Sequence, residues 1–185
     1  MEYKQSMNLV SPSGYAMPFE LSETTPLEIT LGYGKQTHPV TGKEFFHHGV
    51  DFKVYPHTWL KALATGVVSG IASDREKGFN ITVNYRNYAA GSSAVYDVVY
   101  SHIKESICNF GKSVNAGDNI AVCDDTLHIE VRFNGDEIDP IEFLTMVRDN
   151  LIVYEQKTIQ GNNPEIATLD FCVTLKSHTH SSVSA

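Results

Sequence analysis

The sequence predicts a mainly β domain that is followed by one helix. Strand signals dominate its middle, where short apolar, β-branched or alternating segments recur between positions 28 and 133. Residues that favour turns separate these segments, as at Gly42 and Asn134-Gly135. Helical periodicity becomes plausible only from Pro140 onward. We therefore expect a sheet-forming domain with peripheral segments at both ends.

Each predicted strand combines β-branched or aromatic residues with apolar positions that alternate or run together. In chain order the predicted strands are EITLGY (28–33), GVDFKV (49–54), ALATGVVSGIAS (62–73), FNITVNYR (79–86), AVYDVVYSHI (94–103), NIAVC (119–123) and LHIEVRF (127–133).

Residues 140–156 predict the helix, because their apolar positions could form one side and proline suits a first helical turn. One more strand is possible over 166–175, and the polar, Ser-rich end of the chain is expected to be disordered. The predicted parts are an N-terminal extension (1–27), the β domain (28–144), a helix and strand (145–175) and a tail (176–185).

Composition and charge narrow the possible partners. Of the 185 residues 42% are hydrophobic and 19% charged, the formal net charge is −8 and the pI is about 5.4. Nucleic acids and anionic membranes attract clustered Lys and Arg, so neither is an expected partner. No segment has the ~18 apolar residues of a spanning helix, and the N-terminus lacks the apolar core of a secretory signal. The sequence does not predict an oligomeric state.

The three cysteines, Cys108, Cys123 and Cys172, are widely spaced and form no C-x-x-C pair. This spacing is typical neither of a thiolate zinc site nor of a disulfide framework. A metal ion in this protein would therefore be held by histidine and aspartate.

The segment FFHHGVDF (45–52) contains the first candidate ligands, His47 and Asp51. In a straight strand, residues four apart are separated by ~13 Å, too far to share one ion easily. Gly49 permits a bend that would bring the two side chains together, while His48 points elsewhere. By itself this short motif more often marks polar residues at a strand entrance than a metal site.

Two further histidines lie on predicted strands. In LHIEVRF the leucine, isoleucine, valine and phenylalanine alternate toward the core, so His128 lies on the opposite, polar face with Thr126 and Glu130. His102 lies near the end of AVYDVVYSHI, two residues after Tyr100. Three such elements in one β-rich domain suggest a shared site.

These motifs resemble those of a known family. GYGKQTHPVTGKEFFHHGVDF (32–52) resembles the opening of the lysostaphin-type zinc metallopeptidases, which cleave peptide cross-links in bacterial cell walls. Other stretches resemble the family in the same order, over about residues 28–144. They are ALATGVVSGI, GFNITVNY, VVYSHI, FGKSVNAGDNIAV and LHIEVRFNGDEIDPIEFL.

The resemblance implies an antiparallel β-sandwich of the duplicated hybrid-motif kind with an open groove. It implies that His47, Asp51 and His128 bind zinc and that His102 is catalytic. The implied substrates are the stem or bridge peptides of peptidoglycan. Action outside the cytoplasm is expected from the same resemblance.

The chain departs from the family pattern just before His128. The family's glycine-rich loop is missing, and Thr126 stands where the first histidine of an H-x-H motif is expected. A threonine hydroxyl can hydrogen-bond an oxyanion, but it cannot exchange a proton at neutral pH. Asp124, Asp125, His38 and His57 are possible substitutes. The tail sequence His178-Thr179-His180 has the missing pattern but lacks a strand context.

Three interpretations remain open at this point. The first is a zinc endopeptidase that Thr126 would slow, and the second is a degenerate relative that keeps the metal and binds a peptide or protein. The third is a metal-free β-sandwich whose histidines are structural.

Overall fold

The structure is a computed structural model and describes residues 7–20, 27–74 and 78–162. Within these ranges it contains eleven strands and one helix. They are β1 (Ile29–Leu31), β2 (Gly34–Thr37), β3 (Glu44–His47), β4 (Val50–Lys53), β5 (Trp59–Lys61), β6 (Gly66–Asp74), β7 (Gly78–Arg86), β8 (Val95–Ser106), β9 (Ser113–Val114), β10 (Asn119–Phe133), β11 (Asp136–Ile138) and α1 (Pro140–Asn162).

Nine of these strands form one antiparallel sheet in the order β1-β4-β10-β8-β7-β6-β9, with β5 and β11 also paired to β10. The hairpin β2–β3 forms a separate two-stranded sheet. The predicted fold class, mainly antiparallel β with a helix near the C-terminus, is confirmed. The short strands β2, β3, β5, β9 and β11 were not among the predicted ones.

The long strand β10 unites two segments that the sequence predicts as separate strands. Its register with β8 shifts between Cys123, opposite Ile103, and His128, opposite Ser101. On its other edge, β4 and the loop after it keep the intervening residues extended, since Thr126 pairs with Lys53. The polar residues there mark a bulge in one strand rather than a loop between two.

The core lies on one face of this sheet. Leu127, Ile129 and Val131 of β10 are fully buried together with Val50 and Phe52 of β4. The alternation predicted for LHIEVRF is therefore observed, and the opposite face of the same two strands carries the polar side chains.

Both ends of the described chain contribute to the core. Leu9 and Phe19 are buried, and the Asn150 side-chain amide donates to the Leu9 carbonyl at 3.1 Å. The first turn of α1 is capped by Asp139, whose carboxylate accepts from the Ile141 backbone N–H at 2.8 Å. The helix extends to residue 162, six residues beyond its predicted end.

The predicted domain boundaries stay predictions. The possible strand over 166–175 and the tail with His178 and His180 lie outside the described residues. Within the described residues, no helix combines the length and apolarity that crossing a membrane would need.

Candidate metal centre

Three side chains from three strands converge at one point on the polar face of the sheet. His47 ends β3, Asp51 lies in β4 and His128 lies in β10. One ligand atom from each lies within 4.8 Å of the others. Asp51 Oδ1 is 2.6 Å from His128 Nδ1 and 3.5 Å from His47 Nε2. This group could hold a metal ion, and its members are the three ligands that the family resemblance implies.

The bend between β3 and β4 is what brings His47 and Asp51 together. β3 pairs with β2, whereas β4 pairs with β1 and β10, so the chain changes partners at His48 and Gly49. A Cβ atom on Gly49 would lie 2.5 Å from both His128 Cε1 and the Ile129 carbonyl oxygen. Glycine is required here because the His128 ring approaches the backbone closely.

Each of the two histidine rings has a further contact, through its other nitrogen, that fixes its orientation. His47 Nδ1 lies 2.8 Å from the Gly32 carbonyl and donates to it, which leaves Nε2 facing Asp51. His128 Nε2 lies 3.1 Å from Glu130 Oε1. Glu130 is only 3% exposed. The sequence interpretation placed Glu130 on this face but gave it no role, although its position two residues after His128 was a usable signal.

The charges of these groups are strongly coupled. Burial acts to lower the pKa of His128, but the hydrogen bonds and charges of Asp51 and Glu130 outweigh it and raise the pKa to about 9. Burial acts to raise the pKa of Asp51, but the hydrogen bond and charge of His128, with the charges of His47 and His102, hold it below its ordinary value. Without a metal ion, His128 is therefore an imidazolium at neutral pH.

The donor set fits a divalent cation such as zinc. Two imidazole nitrogens and a carboxylate oxygen are common zinc ligands. The half-buried Asp51 and the buried Glu130 need a positive charge nearby, which protonated His128 supplies in the absence of metal. A bound cation would supply that charge instead and leave His128 neutral for ligation.

His102 lies beside this group in an unusual backbone conformation. Its φ is +58°, in the left-handed region that non-glycine residues seldom adopt, and it lies where the β8–β10 register shifts. The exposed ring of His102 has its centroid 5.9 Å from the centroid of the His128 ring. The strained backbone thus directs an imidazole toward the candidate ligands.

Ser101, next to His102, is also part of this surface. It lies directly opposite His128 in the β8–β10 register and is fully buried. Its hydroxyl has no hydrogen-bond partner among the described residues. A buried hydroxyl without a protein partner can hydrogen-bond a water molecule or another ligand instead.

Thr126 lies where the sequence places it, two residues before His128 on the same face of β10, and it is half-buried. Directly opposite it is Lys53 of β4. The sequence interpretation gave Lys53 no role, because the pairing of β4 with β10 is a long-range contact.

The proposed substitutes for the missing histidine have other contacts. His38 Nδ1 accepts backbone hydrogen bonds from Val40 and Thr41 in the β2–β3 turn. His57 Nδ1 lies 3.5 Å from Lys104 Nζ. Asp124 and Asp125 are exposed on β10. The structure brings neither His38 nor His57 into the group formed by the three ligands.

His48 points away from the three ligands, as expected. Its Nδ1 lies 2.8 Å from Glu137 Oε2, and its ring packs against Phe46. Tyr33 also hydrogen-bonds Glu137, and burial, followed by this bond, raises the pKa of Tyr33 to about 12. Glu137 lies in β11, which pairs with the end of β10. Its carboxylate therefore links the segment around His47 to that end of the sheet.

Comparison with known proteins gives concordant results. A family model described as Peptidase family M23 matches residues 45–140. An uncharacterized metalloprotease of Haemophilus influenzae is 32% identical over 117 residues, which cover 56% of this chain and 22% of that protein. This chain therefore spans less than a quarter of the length of that relative.

Solved structures show the same fold. A zinc-containing peptidase from Vibrio cholerae superposes with a TM-score of 0.54 and 22% identity, covering 69% of this chain and 39% of that chain. The catalytic domain of the antimicrobial peptidase lysostaphin from Staphylococcus simulans superposes with a TM-score of 0.52 and 22% identity, covering 64% and 92%. The predicted lysostaphin-type fold is confirmed.

Proposed function

The chain belongs to peptidase family M23, as the resemblance predicted, and from this premise we propose that it is a zinc-dependent endopeptidase. Its proposed substrates are the peptide cross-links of bacterial peptidoglycan, and its proposed place of action is outside the cytoplasm. The observation that carries the proposal is the convergence of His47, Asp51 and His128, whose ligand atoms lie within 4.8 Å of one another.

The ligand roles of these three residues, and the catalytic roles of His102 and Thr126, are part of the proposal. Zinc, when bound, supplies a Lewis acid that polarises the scissile carbonyl and lowers the pKa of water. Amide hydrolysis adds the hydroxyl of water to the acyl carbon and its remaining proton to the leaving amine.

His102 is the proposed residue that moves this proton. Its imidazole is exposed and lies next to the His128 ring, so it can reach a substrate that His128 faces. Histidine suits the task because its ordinary pKa is close to neutral. The left-handed backbone at position 102 holds the ring in this direction.

Thr126 limits the proposed rate. Its hydroxyl can donate a hydrogen bond to a developing oxyanion, but it cannot exchange a proton as a histidine would. General acid–base help is typically worth ~10²–10⁴ in rate, so a chain with one such histidine is expected to be slow.

Thr126 also favours a second candidate function. A relative that has lost this histidine and kept the metal ligands would bind a wall peptide or a partner protein without cleaving it. In that case the ligand group would serve stability, because a bound ion stabilises the folded state.

Turnover of purified peptidoglycan distinguishes the two candidates. We expect slow release of fragments by the zinc-loaded wild type, none by His102→Ala, and up to ~10²-fold faster release by Thr126→His. His57→Ala is the matched control, because this histidine is exposed and contacts Lys104 rather than the ligands. Absence of cleavage by the wild type and by Thr126→His, with zinc bound in both, would favour the binding module.

A further inference from the structure

The hairpin β2–β3 is inserted between two strands that pair with each other. β1 and β4 are neighbours in the nine-stranded sheet, with Leu31 opposite Asp51. Between them the chain leaves the sheet at residues 32–33, forms β2 and β3, and returns at residues 48–49. Neither β2 nor β3 is part of the nine-stranded sheet. Residues 32–33 and 48–49 are therefore the base of the hairpin, where its two arms join the sheet.

This topology fixes the three candidate ligands to different degrees. Asp51 and His128 lie directly opposite each other in the paired strands β4 and β10, so the backbone hydrogen bonds of the sheet set their separation. His47 is the last residue of β3, which pairs with β2 in the separate two-stranded sheet. The place of His47 relative to the other two ligands therefore depends on how the base of the hairpin is held.

One carboxylate of the nine-stranded sheet bonds to both arms of the hairpin at its base. Glu137 lies opposite Arg132 in the β10–β11 register, on the polar face that also carries His128. The Tyr33 hydroxyl of the outgoing arm donates to this carboxylate. His48 Nδ1 of the returning arm lies 2.8 Å from Glu137 Oε2. The Glu137 side chain is 28% exposed, so it is held mainly by protein contacts.

The side chains of β3 connect these bonds to His47. On one side of the strand, the Phe46 ring contacts both partners of Glu137, with its centroid 5.4 Å from that of Tyr33 and 5.0 Å from that of His48. On the other side, His47 Nδ1 donates to the Gly32 carbonyl at 2.8 Å. A shift of the hairpin base would therefore move the His47 ring with it.

We propose that Glu137 is a positioning residue for the metal centre, because its carboxylate holds both arms of the β2–β3 hairpin and so fixes His47 beside the other two candidate ligands. It acts through Tyr33 and His48 and not as a ligand itself. A third ligand that is already in place loses less conformational freedom when the ion binds, so the contacts of Glu137 raise zinc affinity. This inference rests on the proposed function, in which His47 binds zinc.

Two measurements on Glu137→Ala test this role. In the metal-free protein, amide hydrogen exchange should become faster in β2 and β3 and stay unchanged in β4 and β10, because only the hairpin loses its attachment. Zinc affinity, measured by competition with a chelator, should fall ~10-fold, at the low end of the effect of losing an outer partner. Glu137→Gln keeps an oxygen for one of the two donors, so it should change less in both measurements. It also replaces Glu137→Ala if that variant does not fold.

Asp136→Ala is the matched control. Asp136 precedes Glu137 in β11 and is exposed, and the alternation of the strand directs its side chain to the opposite face. Its replacement should leave both hydrogen exchange in the hairpin and zinc affinity unchanged. A general loss of stability, in contrast, would make exchange faster in β4 and β10 as well as in the hairpin.

Neither measurement uses turnover, which separates this inference from the proposed function. Faster exchange confined to β2 and β3, together with weaker zinc binding, supports the role of Glu137 even if no peptidoglycan is cleaved, in which case the peptidase proposal alone fails. Unchanged exchange in the hairpin, an equal increase in β4 and β10, or unchanged zinc affinity overturns it. Absence of zinc binding by the wild type overturns it together with the ligand assignment.

Discussion

Two facing pairs of side chains are adjacent on β4 and β10, Asp51 with His128 and Lys53 with Thr126, yet they differ in burial and in how firmly they are held. His128 is 7% exposed and bonds two carboxylates, whereas Lys53 is 63% exposed and shares one surface ion pair. The first group is largely closed to solvent and its charges are held by contacts with one another, whereas the second group is open to water on β4.

Burial explains why the two groups respond differently to substitution. Removing His128 would leave the buried Glu130 and the half-buried Asp51 without the charge they face, which is costly. Around Lys53 water replaces the lost contact, and the free energy of unfolding changes little. Substitutions in the first group should therefore have the larger effects on metal binding and stability.

The largest expected effect is that of His128→Ala on zinc binding. At 1,000 times its Kd, zinc should stabilise the wild type by ~4.1 kcal/mol and raise its Tm. His128→Ala should lose this rise, because one of three ligands is removed from the group. Thr126→Ala, on the same strand face, is the control and should keep it. Equal zinc-induced shifts in wild type and His128→Ala, measured by thermal unfolding, would contradict the ligand assignment.

The next effect concerns pH in the metal-free protein. The pKa of His128 rises from 6.5 to about 9 in the folded state, so the stabilisation is complete below pH 6.5 and is lost as pH rises through 9. A rise of this size corresponds to on the order of 3 kcal/mol.

Urea unfolding of chelator-treated protein at pH 6.5, 7.5 and 9.5 measures this loss. His128→Ala should show a flatter profile over the same range. A wild-type profile as flat as that of the variant would show that His128 is not held as an imidazolium.

The smallest of the three effects is that of Glu130→Gln. The amide keeps the size of the side chain but removes the charge that accepts from His128 Nε2 at 3.1 Å. Loss of such an outer partner typically weakens metal binding ~10–100-fold. Competition with a zinc chelator measures the change, and Glu105→Gln, which alters an exposed glutamate of β8 opposite Val122, is the control. Unchanged affinity in Glu130→Gln would mean that Asp51 alone orients the ring.

Periodicity predicted much of the fold, since alternation in LHIEVRF placed His128 and Thr126 on the polar face before any pairing was known. It did not predict that Lys53 lies opposite Thr126, because that contact depends on a pairing between distant strands. The burial of Glu130 could not be predicted from the sequence either, because it depends on which segments cover the polar face. Leu9 and Phe19 enter the core from an irregular segment, which carries no periodic signal.

The long-range contacts of residues 9–11 also limit when the fold can be completed during synthesis. Ser11, Val10 and Leu9 contact Thr65, Asn87 and Asn150, which lie 54, 77 and 141 residues downstream. A ribosome that adds 5–20 residues per second takes roughly 7–30 s to synthesise the longest of these intervals. Leu9 therefore leaves the ribosome well before Asn150, and it cannot complete its contacts until α1 has followed.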